Sequence, residues 1–284
     1  MRNALFWLSL MGFLSGCTQV FFQPQHQLID TPTRVGVAYD SETIQAQDGT
    51  KLNAWFLPAQ GEAKGTILFL HGNAENISTH FRSVAWLPAQ GYNVLALDYR
   101  GYGASEGLPT LAGAQQDIDA ALKHLLVHKN VDSNRILVFG QSLGGALAIF
   151  YSAHSAYRAN VRGLISDSAF ADYRQIARDN LAKFTLTWPF QWLPWFLIDN
   201  DYTPIDAVAL LSPIPLFIIH GDNDQAINMK HGERLYAQAK QPKELMIVPK
   251  AGHIQSLADA EVRERFLAFV QQALSTKQFM PQSP

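Results

Sequence analysis

The segment that most narrows the folds open to this chain is Ile136-Leu-Val-Phe-Gly-Gln-Ser142-Leu-Gly-Gly-Ala146, an apolar run that passes through Gly-x-Ser-x-Gly into Leu-Ala-Ile-Phe. Apolar residues without alternation indicate a strand buried on both faces, and the apolar stretch after Gly145 continues as a helix. The reversal occupies only the residues around Ser142, so the backbone must turn sharply there and carry strain at the serine. Side chains at Gly140 and Gly144 would collide with the neighbouring helix and strand, and only hydrogen fits. Gly-x-Ser-x-Gly alone arises often in ordinary turns; the strand before it and the helix after it make it a nucleophile elbow. Ser142 is the candidate nucleophile.

From residue 35 onward short β-branched runs alternate with stretches of 3.6 period, the pattern of βαβ units. Glu42–Ala46 and Leu52–Leu57 flank Asp48-Gly49, which predicts an antiparallel start closed by a type I′ turn. Thr66–Leu70, Asn93–Leu97, Ile136–Phe139, Val161–Ile165, Leu216–Ile219 and Leu245–Val248 are nearly all apolar and are assigned to strands. Ile118, Ala121, Leu122, Leu125 and Leu126 form the inner stripe of a covering helix, and Val262, Phe266, Phe269 and Val270 repeat it in the last one. The expectation is an α/β fold, a mostly parallel twisted sheet of about eight strands covered by helices on both faces. With 284 residues, 48% hydrophobic and no internal repeat, one catalytic domain over 35–284 is expected.

Here the sequence resembles the α/β-hydrolase superfamily, over nearly the whole stretch from Val35 to Leu274. Besides the elbow, His71-Gly72-Asn73-Ala74 ends the first long parallel strand, Asp98-Tyr-Arg-Gly-Tyr-Gly103 with Ser105 and Gly107 follows the next, and His220-Gly-Asp222-Asn-Asp224 and Ala251-Gly252-His253 come later in the order Ser, acid, His. The resemblance implies a doubly covered sheet, an oxyanion hole from the backbone N–H groups of Leu143 and Asn73, with Ala74 as alternative to Asn73, and a pocket floor shaped by the Asp98 loop. His253, in a Gly-flanked loop after the last strand, is the candidate base. His71 and His220 are read as turn buttresses, and His124, His128 and His231 as helix-surface residues. The family's His-Gly-x-x-Asp spacing makes Asp224 the acid. Asp167, on the alternative strand, and Asp222, read as capping its own turn, remain the other candidates. Between Ser166 and Pro213 the chain exceeds a crossover helix, and a small helical cap over about 170–212 is expected, with a helix from Tyr173 to Phe184 and with Trp188, Trp192 and Trp195 lining the substrate pocket or meeting a membrane.

The N-terminus is read apart from the fold. Arg2, the apolar run Ala4–Leu14 and Leu14-Ser-Gly-Cys17 resemble a bacterial lipoprotein signal with its lipobox, which is too short to span a bilayer. The resemblance implies cleavage after residue 16, lipid modification of Cys17, a tether over 17–34, and, because Thr18 is not Asp, a place in the bacterial cell envelope at the outer membrane facing the periplasm. Lys+Arg 22 against Asp+Glu 24, with no basic run, sets nucleic acid aside as a partner. No Cys pair, P-loop or dinucleotide fingerprint appears, so catalysis is expected to need no cofactor and no metal. The function expected is that of a membrane-anchored serine hydrolase cleaving carboxylic esters, lipid-derived acyl esters included, through an acyl-serine intermediate. A serine aminopeptidase-like peptidase is the enzymatic rival. An inactive scaffold or ligand-binding lipoprotein is the alternative of another class.

Overall fold

A computed structural model of the protein describes residues 20–275. Eight strands form one sheet: β1 (Asp40–Gln45), β2 (Lys51–Leu57), β3 (Gly65–Leu70), β4 (Tyr92–Leu97), β5 (Ile136–Gln141), β6 (Val161–Asp167), β7 (Leu216–Gly221) and β8 (Lys243–Val248). Their spatial order is β8-β7-β6-β5-β3-β4-β2-β1. The pairings of β1 with β2 and β2 with β4 are antiparallel and the others parallel, as the sequence pattern predicts. Every residue of β3, β4 and β5 is buried, because the helices α1 (Leu111–Val127), α2 (Leu143–His154), α4 (Lys230–Gln238) and α5 (Ala260–Ser275) cover both faces, while α3 (Tyr173–Ala182) belongs to the cap. α1 starts on the Thr110 side chain, which accepts the Gly113 N–H, and buries the predicted stripe of Ile118, Ala121, Leu122 and Leu125. Val262, Phe266, Phe269 and Val270 of α5 fill the opposite face.

The β1–β2 hairpin closes differently from the predicted type I′ turn. Only Gly49 takes a positive φ, at 90°; Gly49 N–H bonds the Ala46 carbonyl and Ala46 N–H the Thr50 carbonyl. Asp48 is held out of the left-handed region, where its carboxylate accepts the Thr50 N–H and Arg100.

Residues 20–34 form no tether, contrary to the sequence reading. Phe22 is buried and Phe21 packs edge-on against Tyr173 at 4.9 Å. Gln23–Pro24 pair in parallel with Ala74–Glu75, and the Asn76 amide donates to the carbonyls of Gln25 and Gln27. Asp30 pairs with Arg82. The cause is Phe21 and Phe22: burying a phenylalanine is worth about 1.5–3 kcal/mol, which a solvated tether would forgo. Cys17 and the signal segment lie outside the described residues, and among the described residues no helix is long and apolar enough to cross a membrane.

Candidate active site

Parallel strands deliver their loops to one edge, so the carboxyl ends of β3, β5, β6, β7 and β8 converge. Ser142 follows β5 at φ 54° and ψ −118°, a strained conformation for a residue with a side chain, and starts α2. The glycines around it have no room to change. A Cβ on Gly140 would stand 2.3 Å from the Gly144 carbonyl oxygen, and one on Gly144 would stand 2.1 Å from the Leu70 carbonyl oxygen.

Three side chains meet there in a hydrogen-bonded chain. The Ser142 hydroxyl lies 3.0 Å from His253 Nε2, and His253 Nδ1 lies 2.8 Å from Asp224 Oδ2. Asp224 is fixed in turn: its Oδ1 accepts the N–H groups of Ala226 and Ile227, and Oδ2 also stands 3.4 Å from His220 Nε2. Burial opposes its ionisation, but the bonds from His220, His253 and the Ile227 N–H outweigh it and hold the carboxyl well below the usual carboxylate range. A permanent negative charge facing Nδ1 keeps the proton on that nitrogen and leaves Nε2 free to accept.

The two other candidate acids are engaged elsewhere. Asp167 is fully buried, takes bonds from the Gln141 amide and the Ser168 hydroxyl, and is driven upward in pKa by burial. Asp222 accepts the Lys250 N–H at 2.6 Å, bracing the His253 loop rather than its own turn as expected.

Leu143 opens α2, where a helix leaves its first N–H groups unpaired. Asn73 lies across the Ser142 cleft, and Gly72 between them is so close that a Cβ there would stand 3.6 Å from Ser142 Cβ. The Asn73 carbonyl accepts from Tyr102 Oη at 2.7 Å and from the Gln23 N–H at 2.8 Å, which fixes the Asn73–Ala74 peptide, and the preceding peptide, which carries the Asn73 N–H, has its Gly72 carbonyl 2.7 Å from His71 Nδ1. The loop of Asp98 therefore does not form the pocket floor expected of it. It supports the Asn73 loop from behind, while Asp98 gathers Asn53, Ile77 and, at 3.4 Å, His71. His71 buttresses this turn as expected, buried among Tyr99, Tyr102 and His80.

A cavity of about 730 Å³ opens over Ser142. Phe170, Ile176, Leu181, Phe184, Leu193 and Leu197 give it apolar walls, and Phe21 enters from the N-terminal segment. Trp188, Trp192 and Trp195 are absent from that lining, a correction of the sequence reading; they are 62%, 57% and 46% exposed. The segment is built of separate single turns, Trp188–Phe190 and Pro194–Leu197, and all three tryptophans are on its exposed side. Leu193 and Leu197 take the inner side, so the tryptophans point out. The cap helix ends at Ala182, two residues short of the predicted Phe184.

Two further histidine readings change. His231 is buried, not on the surface; it accepts the Ala171 N–H at Nδ1 and reaches Asp179 at Nε2, tying α4 to the cap. His124 of α1 and His128, the residue that caps its C-terminus, converge on Glu42 of β1 with Nε2 atoms 2.7 and 3.1 Å from its oxygens. The Asn130 N–H occupies Nδ1 of His128, so Nε2 carries the proton and donates, and the trio clamps the edge strand to α1. Beside it lies a larger recess of about 830 Å³; none of its lining residues belongs to the Ser142 constellation.

Comparison with known proteins agrees with this architecture. Residues 61–209, just over half of the chain, match the family model described as serine aminopeptidase, S33; the match includes Asn73 and Ser142 and stops before Asp224. YfhR of Escherichia coli K12 is 37% identical over 245 residues, covering 83% of this chain and 82% of its own. The protein WAV2 of Arabidopsis thaliana, described as containing an alpha/beta hydrolase domain, is 34% identical over 225 residues, 74% of this chain and 69% of its own. Among solved structures, the Pyrococcus furiosus esterase Pf2001 superposes with a TM-score of 0.71 at 25% identity, over 88% of this chain and 99% of that one. The chain is a hydrolase with the α/β-hydrolase fold and belongs to the serine aminopeptidase S33 family.

Proposed function

We propose that the protein is a serine hydrolase that cleaves carboxylic esters with an apolar acyl group. The observation that carries this reading is the chain Asp224–His253–Ser142 beneath an apolar cavity whose lining contains no carboxylate. An aminopeptidase needs an anionic group to hold the substrate's ammonium. The lysine in this lining, Lys183, carries the wrong sign, and its ammonium is spent on the carbonyls of Gln225 and Ala226. The likeness to Pf2001, an esterase, points the same way.

In the first half-reaction the Ser142 hydroxyl attacks the ester carbonyl carbon while its proton passes to His253 Nε2. The oxyanion accepts the N–H groups of Leu143 and Asn73, each such donor being worth about 10²–10³ in rate. The imidazolium, held by Asp224, then protonates the departing alcohol, leaving acyl-Ser142. A water molecule, deprotonated by the same nitrogen, attacks the acyl carbon, releases the acid and returns the proton to Ser142.

We also propose that Cys17 is lipid-modified and holds the domain at a membrane of the bacterial envelope; the Leu-Ser-Gly-Cys sequence supports this. The test of the catalytic reading is fluorophosphonate labelling followed by a series of p-nitrophenyl esters against aminoacyl anilides. Labelling that disappears in Ser142→Ala, with esters preferred, is expected. A preference for the anilides would overturn the ester reading.

A further inference from the structure

The cap segment is apolar on both of its sides, which a roof in water does not require. Leu193 and Leu197 face the cavity, yet Leu186, Trp188, Phe190, Trp192, Trp195 and Phe196 are exposed on the outside, Leu186 at 88% and Phe196 at 75%. Between Lys183 and Asp199 no residue is charged or histidine. A contiguous exposed patch of this kind on a folded domain marks an interaction surface. Its aromatic make-up, with Trp side chains at the edge of an apolar band, is suited to the headgroup level of a bilayer.

A second observation concerns the first described residues of the chain. Val20 and Phe21 line the same cavity as Phe184, Leu193 and Leu197. Cys17 stands three residues before Val20, within about 11 Å of it at full extension. The first described residues, which follow Cys17 in sequence, and the segment that carries the patch therefore meet at one cavity.

We infer that this face docks on a lipid bilayer, with Trp188, Trp192 and Phe196 among the headgroups and the cavity mouth opening onto the membrane, so that the acyl ester enters from the lipid phase. The docking stands on the patch. The identity of what enters rests on the ester-hydrolase reading proposed above.

The full-length protein, purified from membranes, is added to phosphatidylethanolamine–phosphatidylglycerol vesicles with and without lipids brominated near the headgroup. Three of the five tryptophans beyond residue 17 lie on this face, so quenching approaching about three fifths of the emission is expected if all three enter the interface. Trp188→Ser/Trp192→Ser/Phe196→Ser, which keeps Cys17, should lose most of that quenching. It should cleave a vesicle-embedded long-chain ester roughly tenfold more slowly, while turnover of dissolved p-nitrophenyl acetate stays unchanged. Trp188→Phe/Trp192→Phe/Trp195→Phe, gentler on folding, should abolish quenching yet keep turnover of the embedded ester. Vesicle-bound wild-type protein without quenching would overturn the inference. So would burial of the same rings in a dimer, or an equal loss of both activities in the serine variant. Quenching without any Ser142 labelling would leave the docking intact and refute the esterase; labelling and ester turnover without quenching would do the reverse.

Discussion

Replacing Asp224 by Asn tests the catalytic chain at the point where the structure separates two rival acids. In Asp224→Asn the side-chain oxygen can still accept the Ala226 and Ile227 N–H groups, so the loop keeps its internal cap. The amide NH₂ then takes the place of Oδ2, 2.8 Å from His253 Nδ1. Two donors cannot face each other, so the imidazole moves its proton to Nε2, which can no longer accept from Ser142. Where an orienting carboxylate is lost in this way, turnover falls about 10⁴-fold, or about 5 kcal/mol of transition-state stabilisation. Asp167→Asn should behave otherwise: Asp167 bonds Gln141 and Ser168 and is pushed toward its neutral form by burial, so an amide is close to an isostere and kcat should stay within about tenfold. The assay is p-nitrophenyl butyrate hydrolysis, with thermal melts to show that both variants fold. An Asp224→Asn enzyme within tenfold of wild type, or an Asp167→Asn enzyme equally impaired, would refute the reasoning.

Other outcomes follow from the same geometry. Gly144→Ala should destabilise by about 3 kcal/mol or more, because the added Cβ meets backbone and not a movable side chain; calorimetry should show a melting temperature lower by roughly 6–12 °C. Phe184→Ala and Leu193→Ala should erode the preference for longer acyl groups, worth about fourfold per methylene at best, and leave acetate esters less affected; equal losses would mean that the acyl chain lies elsewhere. His80, pushed down to about 4 by burial and the neighbouring His71, stays neutral in the fold while the unfolded chain charges near 6.5, so its contribution is complete above 6.5 and is lost as pH falls towards 4, about 3 kcal/mol at most. Denaturant midpoints from pH 7 to 4.5 should therefore fall less in His80→Gln than in wild type. Cys17→Ser should leave the precursor uncleaved and without radiolabelled fatty acid; labelled acyl chains on that variant would contradict lipidation.

The central strands were legible because burial on both faces leaves continuous apolar runs, β1 and β2 because Asp48-Gly49 marks the turn between them, and the candidate Ser, acid and His because parallel strands send their carboxyl ends to one edge. Sequence spacing could rank Asp224, Asp167 and Asp222 but not separate them. What separates them is which carboxylate has an oxygen free toward His253, a property of the folded loops. The hairpin turn was misread because Asp48 tolerates a positive φ without being obliged to adopt one, and Arg100, 52 positions away, holds it out. His231 and the His124–His128 pair were misplaced for a related reason: their partners, Asp179 and Glu42, lie on other elements.

The largest departures, the packed N-terminal segment and the outward tryptophans, have a common origin. Both concern apolar residues beyond the regular elements, where periodicity gives no inner face. In the cap, Pro189 and Pro194 open separate single turns, so no helix is long enough to show a moment. The direction is decided by what already fills the space below. Phe170, Ile176 and Leu181 occupy the floor of the cap, and Phe21 arrives beside them from the far end of the sequence. With those positions taken, Leu193 and Leu197 complete the wall and the larger rings lie outside it. The segment expected to lead away from the domain thus builds part of the cavity, and the residues expected to line the cavity form its outer face.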